Sequence, residues 1–135
     1  MITFEVDITP MGAVRMTRRS KWKNPSAQNY LTYKTKIGYL ARKKFDKPLS
    51  GPVGTEIGFY YPVPKSWSKK KRDEALKGKI FPIVKPDIDN CVKGIFDALN
   101  KIAWKDDNRV VVLITRKYYS ERPRTVIKVW EVEAA

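Results

Sequence analysis

Five aspartates, Asp87, Asp89, Asp97, Asp106 and Asp107, crowd into one short stretch of a chain that otherwise leans the other way. Lys and Arg number 28 against 14 Asp and Glu, a formal net charge of +14 over 135 residues. Such an excess attracts polyanions, nucleic acid first among them. Carboxylates in a protein that meets phosphates repel that partner unless a cation stands between them. Mg²⁺ is that cation in phosphodiester chemistry, because it takes oxygen ligands, keeps several waters and bridges to phosphate oxygens. The chemistry suggested is therefore metal-assisted hydrolysis of a phosphodiester. The chain has no histidine, which excludes Ser-His-Asp and Cys-His catalysis as well as histidine ligands. Its one cysteine, Cys91, can form neither an internal disulfide nor a cysteine-based zinc site, and reads as a small core residue.

Spacing decides whether the carboxylates can meet. Residues two apart point about 200° away from each other on a helix but to the same side of an extended segment. Asp87 and Asp89 sit where a proline-marked extended stretch meets a helix start, so they can converge. Lys93, one helical turn after Asp89, reaches back toward the same acidic edge, and Asp97 lies one turn further on. Asp106 and Asp107 stand at the entry of a strand. If that strand runs beside the helix start, one of the two completes a three-carboxylate site. Each element alone has a plainer explanation. An Asp at a helix start is usually a cap or dipole partner, Asp89–Lys93–Asp97 a solvated ladder, and Asp106-Asp107-Asn108 a turn.

The elements that must position these groups follow from periodicity. Residues 2–8 alternate as a strand, and 53–62 form a second strand closed by Pro62 and Pro64. Residues 26–45 predict a helix capped by Ser26, with Tyr30, Tyr33, Ile37, Leu40, Ala41 and Phe45 as its buried stripe. Ser68 caps a short helix that ends at Gly78, and 80–86 are extended because Lys85 precedes a proline. A helix from Ile88 to Ile102 buries Ile88, Cys91, Val92, Ile95, Leu99 and Ile102. Strands at 109–119 and 124–133 are read as a hairpin joined by a short Ser-Glu-Arg-Pro turn. The order β-α-β-α-α-β-β predicts one α+β domain over residues 1–135, with a mixed sheet of about four strands and helices packed on it. Trp67, Trp104 and Trp130 are expected to pack inside.

Two basic runs are the expected DNA contacts. Arg15, Arg18, Arg19, Lys21 and Lys23 lie in a Pro/Gly-punctuated loop at 9–25, and Lys69, Lys70, Lys71 and Arg72 follow Ser68. Phosphate contacts from such residues position DNA without reading its sequence. Trp22 either stacks on an unpaired base or packs in the core. No stretch approaches the ~18 apolar residues of a membrane span, and the first residues lack the pattern of a secretory signal. A cytoplasmic protein without membrane contact is expected.

The run Lys85-Pro86-Asp87-Ile88-Asp89-Asn90, then Lys93, then Phe96-Asp97-Ala98-Leu99-Asn100, then Trp104-Lys105-Asp106-Asp107 and Val110-Val111 resembles the signature of RusA-type Holliday-junction resolvases. That signature has a D-x-D-N, a lysine four residues after the second Asp, an FDAL-type segment and a W-x-DD turn leading into a strand. Lys117 and Tyr119 echo a further Lys-x-Tyr. The specific match covers residues 85–119, and the agreement outside is looser, above all in the N-terminal loop, which leaves the substrate range open. The resemblance implies that Asp87, Asp89 and Asp107 are catalytic, metal-binding aspartates and Lys93 a catalytic lysine. Asp106 adjoins the site, and Asp97 takes a structural role. It also implies a homodimer that makes paired symmetric nicks in four-way junctions with Mg²⁺ (Mn²⁺ as a substitute), in DNA recombination and repair. Many members of the family come from phages or prophages. The rival readings are a non-catalytic basic DNA-binding module, a nuclease of forks or flaps, and a tyrosine recombinase using Tyr118 or Tyr119.

Overall fold

The computed structural model describes residues 1–17 and 23–134. A short strand β1 (Ile2–Val6) leads through a loop to helix α1 (Pro25–Arg42). Strand β2 (Val53–Pro62), helix α2 (Lys69–Leu76) and helix α3 (Ile88–Leu99) follow. A 3₁₀ turn (Asp107–Arg109) opens strand β3 (Val110–Ser120), and β4 (Arg124–Glu131) completes the sheet. The α+β class and the element order agree with the reading from sequence. No helix among the described residues is long and apolar enough to cross a membrane.

Local chemistry explains most boundaries. The cap of α1 is Asn24, whose side chain accepts from Ser26 N at 2.9 Å, with Pro25 in the first helical turn. The expected cap at Ser26 is thus displaced by two residues, because a proline fits the first turn and needs a capping residue before it. Ser68 caps α2 as expected, accepting from Lys71 N at 3.2 Å, and Gly78 ends the segment with φ +79°. The helix α3 stops at Leu99, three residues earlier than expected. Lys101 there takes φ +69° and its N–H donates to Trp104 O, which turns the chain back.

The four strands lie in the order β1-β4-β2-β3. β2 pairs antiparallel with β4 and parallel with β3, and β1 pairs antiparallel with β4. The expected β3–β4 hairpin is therefore wrong: β2 lies between the two strands. The Ser120–Arg124 connection crosses over the end of β2, where Pro62 and Tyr60 stand opposite Ser120, Tyr118 and Arg124. Two strand spacings are only ~10 Å, so a short connection reaches. Arg124 stitches it by donating to Ser120 Oγ and Arg122 O. One face of the sheet buries Val6, Val53, Thr55, Ile57, Phe59, Ile127 and Val129. Against it lie Tyr30, Tyr33, Ile37 and Ala41 of α1 and Cys91, Ile95 and Leu99 of α3, the stripes that the helical spacing predicts. Trp104 is fully buried, while Trp67 and Trp130 are half-buried.

Candidate active site

The acidic residues divide between the two ends of α3. Asp87 takes the cap position in extended geometry (φ −65°, ψ 150°), and its carbonyl accepts from Cys91 N. Its carboxylate makes no capping bond. A cap that leaves its carboxylate unused is uncommon, since an Asp there normally bonds the first-turn N–H groups. Asp89 lies in the first turn, and both side chains are exposed. Both sit at the positive end of the helix dipole.

Three contacts fix this end of α3. Tyr61, near the end of β2, donates its hydroxyl to Pro86 O at 2.7 Å and stands 3.4 Å from Cys91 Sγ. Lys117 of β3 lies over the Tyr61 ring and donates to Val84 O at 2.6 Å. Asn90 grips the loop after β1 from both sides: its carbonyl accepts from Ala13 N at 3.1 Å and its amide donates to Ala13 O at 3.2 Å. Gly12 makes that approach possible, because a Cβ there would stand 2.4 Å from Asn90 Nδ2. Burial pushes the Cys91 thiol pKa up, and the charges of Asp87 and Asp89 push it further, while Tyr61 and Lys117 act the other way. The cysteine is a buried core residue, as expected. Lys93 is exposed one turn beyond Asp89.

The far end of α3 is different. Asp97 accepts from the buried Tyr30 hydroxyl at 2.8 Å, which fits the structural role expected of it. Asp107, half-buried, accepts from Trp104 Nε1 at 2.8 Å. Burial raises its pKa, the Trp104 bond lowers it, and the charges of Asp97 and Asp106 raise it again. Ten residues of helix, ~15 Å, separate the positions of Asp87 and Asp97. Among the described residues, no group of three or more His, Cys, Asp or Glu is placed to hold a metal ion. One chain therefore brings Asp87 and Asp89 to a common helix end and leaves Asp107 with Asp97. The pair still suits Mg²⁺, which is commonly held by one or two carboxylates together with substrate phosphates.

Of the expected DNA contacts, Arg15 and Lys23 are exposed, and Arg15 follows the segment held by Asn90. Arg18, Arg19 and Lys21, with Trp22, lie outside the described residues. Lys69, Lys70 and Lys71 are exposed on the first turn of α2, with Lys71 over the Trp67 ring. Arg72 is partly committed to Glu121 at 3.7 Å. Reading the sequence missed Asn90 as a clamp and Lys117 and Arg116 as cations beside Asp87. The signals were the Asn of the D-x-D-N run and the Lys of the Lys-x-Tyr echo.

The model of the family described as Endodeoxyribonuclease RusA matches residues 6–130. The chain is also 39% identical over 128 residues to the "Uncharacterized protein YqaN" of Bacillus subtilis (strain 168), covering 93% of this chain and 88% of the relative. The match reaches well beyond the acidic motif and takes in every strand and helix except most of β1. The chain belongs to the RusA family of endodeoxyribonucleases.

Proposed function

We propose that this protein resolves Holliday junctions in recombination and repair by paired symmetric nicks, as a divalent-metal-dependent homodimer. The carrying observation is the pair of exposed carboxylates at the start of α3, Asp87 without a capping bond, beside a clamped basic loop in a chain of this family. Asp87, Asp89 and Asp107 are the catalytic carboxylates of this reading. When bound, Mg²⁺ supplies charge neutralisation at the phosphate and acidifies a water. Lys93 stands one turn on and neutralises charge that develops on the scissile phosphate. Arg15, Arg18, Arg19, Lys21 and Lys23, with Lys69, Lys70, Lys71 and Arg72, hold the backbone without reading sequence.

A two-fold dimer matches the approximate two-fold symmetry of a four-way junction. The unpaired edge of β3 supplies an apolar contact surface for it through Val111, Leu113 and Ile114, all exposed. Because one chain leaves Asp107 with Asp97, a dimer that pools carboxylates between subunits is the arrangement to test. Asp87→Asn and Asp107→Asn subunits, each inactive alone, are expected to regain nicking when mixed. Failure to regain it sinks the pooled arrangement.

The main experiment is cleavage of an immobile four-way junction with Mg²⁺, with Mn²⁺ and with EDTA, alongside fork, flap and linear duplex. Symmetric nicks on the junction alone, lost in EDTA, are expected. Binding without cleavage in any divalent metal would leave a non-catalytic DNA-binding module, and preferential cutting of forks or flaps would change the substrate. Affinity should also fall steeply with salt, in proportion to the phosphates contacted.

A further inference from the structure

Immediately before the acidic pair, the chain does something that catalysis of the proposed kind does not require. The loop between α2 and α3 carries Ile80-Phe81-Pro82-Ile83-Val84, and three of these side chains face outward. Ile83 is 96% exposed, Phe81 56% and Val84 50%. A loop that merely connects two helices has no reason to hold such residues in water. Nor is it loosely attached: Pro82 is buried, Val84 O is held by Lys117, and Pro86 O by Tyr61. Between this loop and the edge of β3 lies a cavity of ≈ 690 Å³ whose lining includes Asp87, Arg116, Lys117 and Tyr118 as well as the three apolar residues. It is an open groove on the surface, within the size range of small-molecule sites (roughly 300–1,000 Å³) but not closed over. Apolar surface, an aromatic ring and two cations beside a carboxylate are the chemistry of an unstacked nucleotide: base against the apolar wall, phosphate toward the cations.

We propose that the loop at 80–84 is an apolar wedge, with Ile83 at its tip, that takes the place of a stacked base at the branch point and seats the displaced base in this cavity. Side chains such as Ile and Phe enter base steps in this way in other DNA-bending proteins, at the cost of a few kcal/mol of unstacking per step. An open branch point offers bases that are easier to part than those of a continuous duplex. The wedge therefore selects branched over linear DNA and ties that selection to Asp87, three residues from Val84. It rests on the part of the proposed function that makes four-way junctions the substrate, not on cleavage.

The test uses the full chain in EDTA, so that no strand is cut. The probe is a four-way junction with 2-aminopurine at the base pair next to the crossover, beside a linear duplex carrying the same label. Wild type is expected to raise the junction fluorescence and leave the duplex unchanged. Ile83→Ser and Phe81→Ser should suppress that rise and weaken junction binding about fivefold or more, the loss of one stacking contact, with duplex binding unchanged. Ile83→Leu should behave as wild type. Because Ile83 is almost wholly in solvent, its replacement leaves the core untouched.

Wild-type binding with no fluorescence change, or serine variants indistinguishable from wild type, overturns the wedge and leaves the nuclease reading standing. A fall in sedimenting mass in Ile83→Ser also overturns it, by making the loop a contact between copies. Wild type that binds neither DNA sinks both readings. A fluorescence rise lost in the serine variants, in a protein that never cuts in Mg²⁺, keeps the wedge and removes the nuclease.

Discussion

The carboxylates at the two ends of α3 differ in their hydrogen bonding. At the start, Asp87 and Asp89 are exposed, and Asp87 declines even the capping bond its position offers. At the far end, Asp97 and Asp107 each accept a hydrogen bond from an aromatic donor whose ring is buried, Tyr30 and Trp104. The first pair contributes little to holding the fold and is available to a ligand. The second pair satisfies polar atoms that burial would otherwise leave unpaired, at a penalty of about 1–3 kcal/mol each. Aspartates close in sequence thus differ in what holds them: Asp107 keeps a fixed hydrogen bond to Trp104 even in a reading that gives it a catalytic role.

Substitutions can break or sharpen this contrast. The largest effect belongs to Asp87→Asn. Single-turnover nicking of a junction should fall on the order of 10²-fold or more, with the unfolding midpoint unchanged and gel-shift binding retained. A clear loss of thermal stability in that variant would put Asp87 with Asp97, whose role is structural. Next comes Trp104→Phe, which removes the donor to Asp107 and part of a fully buried ring. Chemical denaturation should show a loss of ~2–4 kcal/mol. Asp97→Ala should cost ~1–2 kcal/mol by orphaning the Tyr30 hydroxyl, with nicking within about twofold of wild type; a large rate loss would erase the distinction between the ends. The smallest effect is a control away from α3: Ser68→Ala, which removes the cap of α2, should cost ~1 kcal/mol and leave nicking intact.

Much of this was legible in the residues themselves. The buried stripes of α1 and α3 follow from three-and-four spacing, and the Ser68 cap and the Gly78 stop are chemical signals within a few residues of what they control. What escaped was non-local. Ser120 to Arg124 has every local mark of a hairpin turn, and nothing within it reports that β2, some sixty residues earlier, slots between the two strands. The acidic residues show the same limit. Spacing places Asp87 and Asp89 at one helix start, but the position of Asp107 is set by Trp104, whose burial depends on the whole core. The Asn90 clamp likewise joins segments 77 residues apart, and the Asn of the D-x-D-N run alone does not say which segment it holds.

The strand order carries a consequence for how the molecule is made. β4 is made after the other three strands, yet among the described residues it is the sole strand partner of β1 and one of the two neighbours of β2. Until it leaves the ribosome, β1 has no strand to pair with and one edge of β2 lacks its hydrogen-bonding partner. Pairings of such long sequence separation form late and slowly. A nascent chain stalled before Arg124 should therefore remain open to proteases along its length, with no protected half, and protection should arrive in a single step once β4 emerges.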